Sequence, residues 1–353
     1  MRWNRWIAVA ATVMLMPALV GCSSVAPASQ DGPRLIEVLQ RWDDEAHHDL
    51  RSVVVMHQGR IVAERYFNGE TAETLHDVRS AGKSVTSLLV AMAVDQGKIR
   101  SLADPVQAYW PAAKGSAIGD VALSDVLTMR SGLAAFDEDP ASPGQEDKLD
   151  DAADPLGFAL GVPRADPSGA VYRYNSLTAY VAGLVVEQAS GRPLRDFAQV
   201  NLFEPLSIRQ WRWDADVAGH TKGQGNLWLT ARGMAALGEL VRNKGEYQGR
   251  RVVSEDGIAQ MLQPRVVIST VDPYADGYGY FWYFKAMPVG ERRLPVWFAS
   301  GNGGNKVYVL PEQALVVTVA SSAYGRGYGQ RRSQEILHAV LTALPELSGP
   351  RPR

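Results

Sequence analysis

The sequence predicts an α+β fold: one antiparallel sheet built from both chain ends, flanked by helices, plus a mostly helical lobe inserted in the middle. Three observations predict it. Strand patterns occur over 52–66 and return over 277–320. The stretch between them reads almost wholly as helices and loops. Apolar helical patterns stand just before the first strands and just after the last, where they can cover the sheet. The expected domain spans 35–345, with a sheet lobe over about 35–79 and 270–345 and a helical lobe over about 80–269.

At the start of the chain, Arg2 and Arg5 give a basic beginning and 6–20 is almost wholly apolar, so residues 1–21 are expected to be a signal peptide. The apolar stretch is too short to span a bilayer convincingly. Leu19-Val20-Gly21-Cys22 resembles a bacterial lipobox, in which cleavage precedes lipidation of the cysteine sulfur. That resemblance implies an exported lipoprotein on the periplasmic side of the cell envelope, anchored to membrane through Cys22. Residues 22–34, rich in Ser, Ala and Pro, read as a tether.

A first helix is expected over 35–45, with Leu35, Ile36, Leu39 and Trp42 on one face. Apolar-rich runs at 52–57 and 60–66 flank Gln58-Gly59, a two-residue hairpin loop. The next helix carries Ser80 and Lys83. Further helices are expected over 123–129, 177–189, 194–203 and 230–242, and the acidic stretch 137–154 reads as a flexible loop over the cleft. Strands follow over 277–285, 295–299, 306–310 and 315–320. A last helix over 333–344 turns Ile336, Leu337, Val340, Leu341 and Leu344 inward.

The 353 residues are 46% hydrophobic and carry a formal net charge of -2, enough to bury a large core and no argument for nucleic acid as a partner. Cys22 is the only cysteine, so no internal disulfide, thiol nucleophile or metal-thiolate centre is available. His57, His76 and His220 lack ligand-like spacing and read as surface or packing residues, so no metal is expected. Gly82-Lys83-Ser84 imitates the end of a phosphate-binding loop, but Asp77 stands where that loop needs glycine. No Gly-x-Ser-x-Gly elbow is present.

The chemistry concentrates at Ser80. Val85, Leu88, Leu89, Met92 and Ala93 fall at i, i+3, i+4, i+7 and i+8, so a buried helix starts here with Ser80 at its mouth. Ser80 and Lys83 are three apart, which places hydroxyl and amine on one helical face. A serine becomes a nucleophile when a neighbour takes its proton, and a lysine can do so once burial and the positive helix end lower its pKa. That lowering is the expectation for Lys83. Tyr172 and Tyr174 stand before the helix at 177 and offer a second proton carrier beside a buried cation. Ser300-Gly301-Asn302-Gly303-Gly304-Asn305 leads into a strand, and its glycines suit an oxyanion hole of backbone N–H groups.

With these stand Gly97-Lys98-Ile99 ahead of Asp104-Pro105-Val106, Thr128-Met129 before Ser131-Gly132-Leu133, Leu202-Phe203-Glu204-Pro205-Leu206 and Gly225-Asn226-Leu227-Trp228-Leu229-Thr230. In this order they resemble the serine β-lactamase-related family, nearest to the branch of class C β-lactamases, 6-aminohexanoate-dimer hydrolases and related esterases. The resemblance runs from about 53 to 319. It implies a β-lactamase-like fold, Ser80 as the acylated nucleophile, Lys83 as its proton acceptor and Tyr174 as the second general acid/base. Ser176 stands where the family's Tyr-x-Asn motif ends in asparagine, so Asn175 and Ser176 are both candidates to hold the substrate. Gly301-Asn302-Gly303-Gly304 replaces the family's Lys-Thr-Gly, without its cation, which argues against penicillins as natural substrates. The oxyanion hole would pair the Ser80 N–H with one from Gly303, Gly304 or Asn305, with Asn302 beside them.

The expected protein is therefore a serine hydrolase that cleaves an ester or amide in a small or peptide-like substrate through an acyl-enzyme, with no cofactor. Two alternatives stand beside it: a D-alanyl-D-alanine peptidase or weak β-lactamase, and a non-catalytic binding protein on the same fold. Trp110, Phe136, Trp211, Trp228, Trp282 and Trp297 are candidates to line an acyl pocket.

Overall fold

The computed structural model describes Met1 and residues 31–344. The expected signal peptide, Cys22 and the tether up to residue 30 lie outside the described residues. Strands β1 (Leu50–His57) and β2 (Arg60–Tyr66) form the expected hairpin. Gln58 and Gly59 both have positive φ, 52° and 77°, the left-handed pair that matches a two-residue loop to the twist of its strands. Short strands β3 (His76–Asp77), β4 (Trp211–Trp213) and β5 (Leu227–Leu229) make a separate sheet in the order β3-β5-β4, and β6 (Glu246–Tyr247) pairs with β7 (Arg250–Arg251).

The main sheet is completed by β8 (Val266–Val267), β9 (Gly277–Tyr278), β10 (Tyr283–Val289), β11 (Arg292–Gly301), β12 (Asn305–Leu310) and β13 (Leu315–Ser321). Its eight antiparallel strands run β2-β1-β13-β12-β11-β10-β9-β8. The two chain ends meet at β1 and β13, from Leu50 opposite Ser321 to His57 opposite Leu315. A sheet assembled from both ends, as the pattern predicts, is what the structure shows. The strand expected over 277–285 is broken, however: the chain turns a corner at Phe281, φ 57°, between β9 and β10. There the Phe281 N–H donates to Leu127 O (3.1 Å), and Ser84 Oγ donates to Phe281 O (2.6 Å), clipping the sheet to the helix behind Ser80.

Ten α-helices are present among the described residues: α1 (Asp31–Gln40), α2 (Gly82–Asp95), α3 (Leu123–Leu127), α4 (Glu146–Asp150), α5 (Pro155–Gly161), α6 (Ser176–Ser190), α7 (Leu194–Ala198), α8 (Ala231–Arg242), α9 (Glu255–Leu262) and α10 (Gly327–Ala343). The helix expected over 35–45 begins earlier and ends at Gln40, and that expected over 194–203 is α7 followed by a wider π turn over Gln199–Phe203. β12 and β13 are buried along their whole length because helices cover both faces of the sheet. On one face α8 comes close at Gly238, where a Cβ would lie 2.5 Å from Val316 Cγ1. On the other, Ser333 of α10 donates to Gly304 O (2.5 Å). α2 is buried almost all round: its apolar run over 88–94 packs into the core, and the polar Ser84 and Thr86 of its first turns are buried with hydrogen bonds to Phe281 O and Gly223 O.

The acidic stretch 137–154 is not the flexible loop its composition suggests. Gln145 caps α4 by accepting the Asp147 N–H (2.8 Å), and Asp154 caps α5 by accepting the Gly157 N–H (2.9 Å). Lys222 Nζ holds Asp150 at 3.0 Å. The segment packs as a short helical cover.

Candidate active site

Ser80 lies in a 3₁₀ turn, Arg79–Ala81, that runs directly into α2. The turn is held in an unfavourable conformation, since Arg79 has φ 53° without being glycine. Its surroundings determine it. Asp77 accepts the Arg79 N–H (2.9 Å) and pairs with its guanidinium (3.1 Å), which lies 5.0 Å from the Tyr324 ring centroid. The Val78 N–H donates to Leu227 O (2.9 Å), and the Ala81 N–H to Val78 O (3.2 Å). Asp77 and Tyr324 are thus site-forming residues that sequence reasoning missed. Only the Asp77-x-Arg79 spacing hinted at them.

Lys83, 2% exposed, directs Nζ to three oxygens at 3.0 Å each: Ser80 Oγ, Ser176 Oγ and Gln224 O. The turn bearing Gln224 is strapped to α2 by Thr86 Oγ1, which donates to Gly223 O (2.6 Å). Nζ also lies 5.1 Å from the Tyr174 ring centroid. Tyr172, by contrast, packs edge-on against Tyr278 with centroids 5.4 Å apart. Of the two tyrosines, Tyr174 is the one beside the Ser-Lys pair.

The expected lowering of the Lys83 pKa is corrected by the structure. Burial does push the ammonium down, but Tyr174, Asp137 and Glu146 outweigh it and hold Lys83 above its ordinary value. Both carboxyls belong to the acidic segment. Ser176 Oγ reaches Asp137 Oδ2 at 2.8 Å and Glu146 Oε2 at 2.7 Å. Burial pushes the Asp137 carboxyl up to about 6, despite the pull of Lys83, with the neighbouring Glu146 adding to the rise.

The remaining predicted residues divide. Asn175, 1% exposed, caps α6 by accepting the Thr178 N–H (2.8 Å) and donates to Arg173 O (2.8 Å), so its amide is committed to the helix start. Ser176 is fully buried and committed to Lys83 and the carboxyls. Asn305, also fully buried, donates to Asn302 O and Ser321 O (2.9 Å each) and accepts the Ser321 N–H (3.0 Å). The Asn175 and Ser176 side chains, expected to hold the substrate, are thus engaged within the protein, as is the side chain of Asn305, whose backbone N–H was the expected oxyanion donor. The Gly304 N–H donates to Gly301 O (3.2 Å). Gly303 and Gly304, φ 86° and 92°, press against the segment after β13: a Cβ on Gly304 would lie 2.2 Å from Gly329 O. Asn302 is the residue of this turn that borders Ser80.

The cavity at Ser80 has a volume of about 70 Å³ and is walled by Arg79, Glu146, Asp147, Asp150, Gln224, Gly225, Asn226 and Asn302. None of the six aromatic candidates lines it; the wall is polar. Two larger cavities, of about 430 and 530 Å³, lie by Arg232 and behind α2, and neither touches Ser80. The convergent polar groups, not the volume, locate the site. Among the described residues no group of three or more His, Cys, Asp or Glu side chains could hold a metal, and no helix is long and apolar enough to cross a membrane. His220 pairs with Glu187 at 2.8 Å.

Known proteins are similar to this chain. The Beta-lactamase family profile matches residues 43–341. The 6-aminohexanoate-dimer hydrolase of Paenarthrobacter ureafaciens is 26% identical over 278 residues, covering 73% of this chain and 70% of that protein. The class C β-lactamase from Rhodobacter sphaeroides superposes with a TM-score of 0.65 at 17% identity, over 89% of this chain and 99% of its own. EstCE1, described as a hydrolase with promiscuous acyltransferase activity, superposes with a TM-score of 0.72 at 17% identity, over 87% and 98%. These two likenesses show the fold.

Proposed function

Because this chain belongs to the Beta-lactamase family, we propose that it is a serine hydrolase which cleaves an ester or amide bond through an acyl-enzyme on Ser80. The observation that carries the reading is the Ser80–Lys83 contact at 3.0 Å, at the edge of a cavity open to a small substrate. In the amine form, Lys83 keeps two N–H bonds for Ser176 Oγ and Gln224 O and turns its lone pair to Ser80. It then takes the Ser80 proton as Oγ bonds to the acyl carbon. Tyr174, beside the resulting ammonium, is placed to pass a proton to the leaving group. The Ser80 N–H and the turn at Asn302 would receive the developing oxyanion, an interaction typically worth on the order of 3 kcal/mol per donor. Water then releases the acyl group by the reverse proton path.

The named relatives include a 6-aminohexanoate-dimer hydrolase and a class C β-lactamase. For this chain the 70 Å³ cavity favours a small acyl group, its Asn302 turn lacks a lysine for a penicillin carboxylate, and the one guanidinium in its wall, Arg79, is paired with Asp77. We assign esters and amides ahead of β-lactams on that ground. From the basic start, the apolar stretch 6–20 and Leu19-Val20-Gly21-Cys22 we also propose that the protein is exported and held to membrane by a lipid on Cys22.

The test is intact-mass analysis after incubation with p-nitrophenyl butyrate, nitrocefin and a fluorophosphonate. An adduct on Ser80 that disappears in Ser80→Ala, with ester turnover above β-lactam turnover, is the expected result. Turnover in Ser80→Ala should fall by at least about 10⁴-fold. No adduct from any of the three probes would refute the reading.

A further inference from the structure

Ser176 Oγ stands within hydrogen-bond distance of three groups at once: Lys83 Nζ at 3.0 Å, Asp137 Oδ2 at 2.8 Å and Glu146 Oε2 at 2.7 Å. A hydroxyl has one proton to donate and two lone pairs to accept with. With Lys83 donating to it, Ser176 can satisfy only one carboxylate. The other oxygen at Ser176 needs a proton of its own. The arrangement closes if the Asp137 carboxyl carries that proton and donates it to Ser176, while Ser176 donates to Glu146. Asp137 fits this role, since its Oδ1 is buried without a partner and burial has raised its carboxyl to about 6.

We infer that Asp137 and Glu146 are positioning residues for the reaction proposed above, acting through Ser176 to hold Lys83 as an ammonium aimed at Ser80 and so to set the pH at which it becomes a base. The inference rests on the serine-hydrolase reading and adds to it the groups that regulate the lysine. Glu146 supplies one negative charge near Nζ and Asp137 a second once its carboxyl ionises above about pH 6, and both favour the charged form, so the amine appears only at higher pH. The acidic segment is fastened to supply them. The Asp137 N–H donates to Tyr174 O (3.1 Å), Gln145 Nε2 donates to Asp137 O (3.4 Å), and Lys222 holds Asp150. The charged and titratable groups facing Lys83 are Tyr174 before α6, Asp137 in the covering segment and Glu146 on α4. Those facing Asp137 are Lys83 and Glu146, with the Ser176 hydroxyl between. This also gives a reason for serine at 176: a buried hydroxyl can both accept from an ammonium and donate to a carboxylate in the space of one side chain.

The experiment follows two quantities in wild type, Asp137→Asn and Glu146→Gln. One is the rate of fluorophosphonate labelling of Ser80 from pH 5 to 11. The other is the ¹³Cε shift of Lys83 in lysine-labelled protein, assigned by its loss in Lys83→Met. Each variant should shift both the rising limb of labelling and the Lys83 titration to lower pH by about one unit, with about tenfold faster labelling below the limb. Ionisation of the Asp137 carboxyl should add an inflection near pH 6 to the wild-type Lys83 shift, and Asp137→Asn should abolish it. A Lys83 titration that stays in place in both variants overturns the inference, whatever the labelling shows. A titration that moves while wild type is never labelled upholds the carboxyl–lysine coupling and refutes the hydrolase reading alone. Should Asp137→Asn fail to fold, Glu146→Gln carries the same comparison.

Discussion

Gly301 sits at the end of β11 with its Cα against the turn that presents Ser80. A Cβ added there would lie 2.1 Å from Val78 O and 3.2 Å from Ala81 N, where real Cβ atoms stay at least 3.0 Å from such neighbours. Gly301→Ala therefore forces the two backbones apart by about 1 Å. Neither side can retreat freely. Val78 O accepts the Ala81 N–H that closes the Ser80 turn, and the Val78 N–H is bonded to Leu227 O. Overpacking of this kind costs about 1–3 kcal/mol, or roughly 2–5 °C in Tm for a domain of this size. A displacement of about 1 Å at the nucleophile should lower kcat/KM by about 10²-fold, a larger effect than the stability loss alone would give. Gly161→Ala is the control, because nothing lies within 4 Å of the added Cβ. The assay is ester hydrolysis and fluorophosphonate labelling at a temperature well below both melting transitions. Gly301→Ala with kcat/KM within about twofold of wild type would refute the idea that β11 sets the Ser80 geometry.

Two further outcomes follow from buried polar groups. Lys306, 2% exposed and bonded through Nζ to Ser300 Oγ (2.7 Å), is pushed down to about 7 by burial. Its folded pKa lies below its unfolded one, so between about pH 7 and 10 the unfolded state binds the extra proton and stability rises with pH, by up to about 1.4 kcal/mol per unit. Below that window both states are protonated and the full penalty applies. Lys306→Met should remove the rise and raise the urea midpoint at pH 7; parallel pH dependences in the two proteins would contradict it. Asn305→Ala strands the Ser321 N–H and carbonyl, and should cost about 2–4 kcal/mol in thermal stability while leaving KM near wild type. A raised KM with an unchanged melt would instead return Asn305 to substrate contact.

Much of this fold follows from short-range pattern. The Gln58-Gly59 hairpin, the apolar run of α2 and the strands that end the chain are each stated by neighbouring residues, because pleat and helix periodicity are local properties. So is the pairing of Ser80 with Lys83, which a single helical turn imposes. The corner at Phe281 was hidden, since a break within one aromatic run depends on Leu127 and Ser84 from elsewhere. Capping by Gln145 and Asp154 likewise turned an acidic stretch, read as loop, into helices.

The sequence by itself determined that Ser80 and Lys83 stand together with a tyrosine near them, and that the sheet is made from both ends. These are matters of spacing and order. Only the tertiary structure decided the charge on Lys83. The sequence argument considered burial and the helix end, both of which lower an amine's pKa, and neither Asp137 nor Glu146 is near Lys83 in the chain. Folding brings both to Ser176, and their attraction, added to that of Tyr174, outweighs the effect of burial on the ammonium. Protonation in a core depends on which charges converge there, and convergence is a property of the fold.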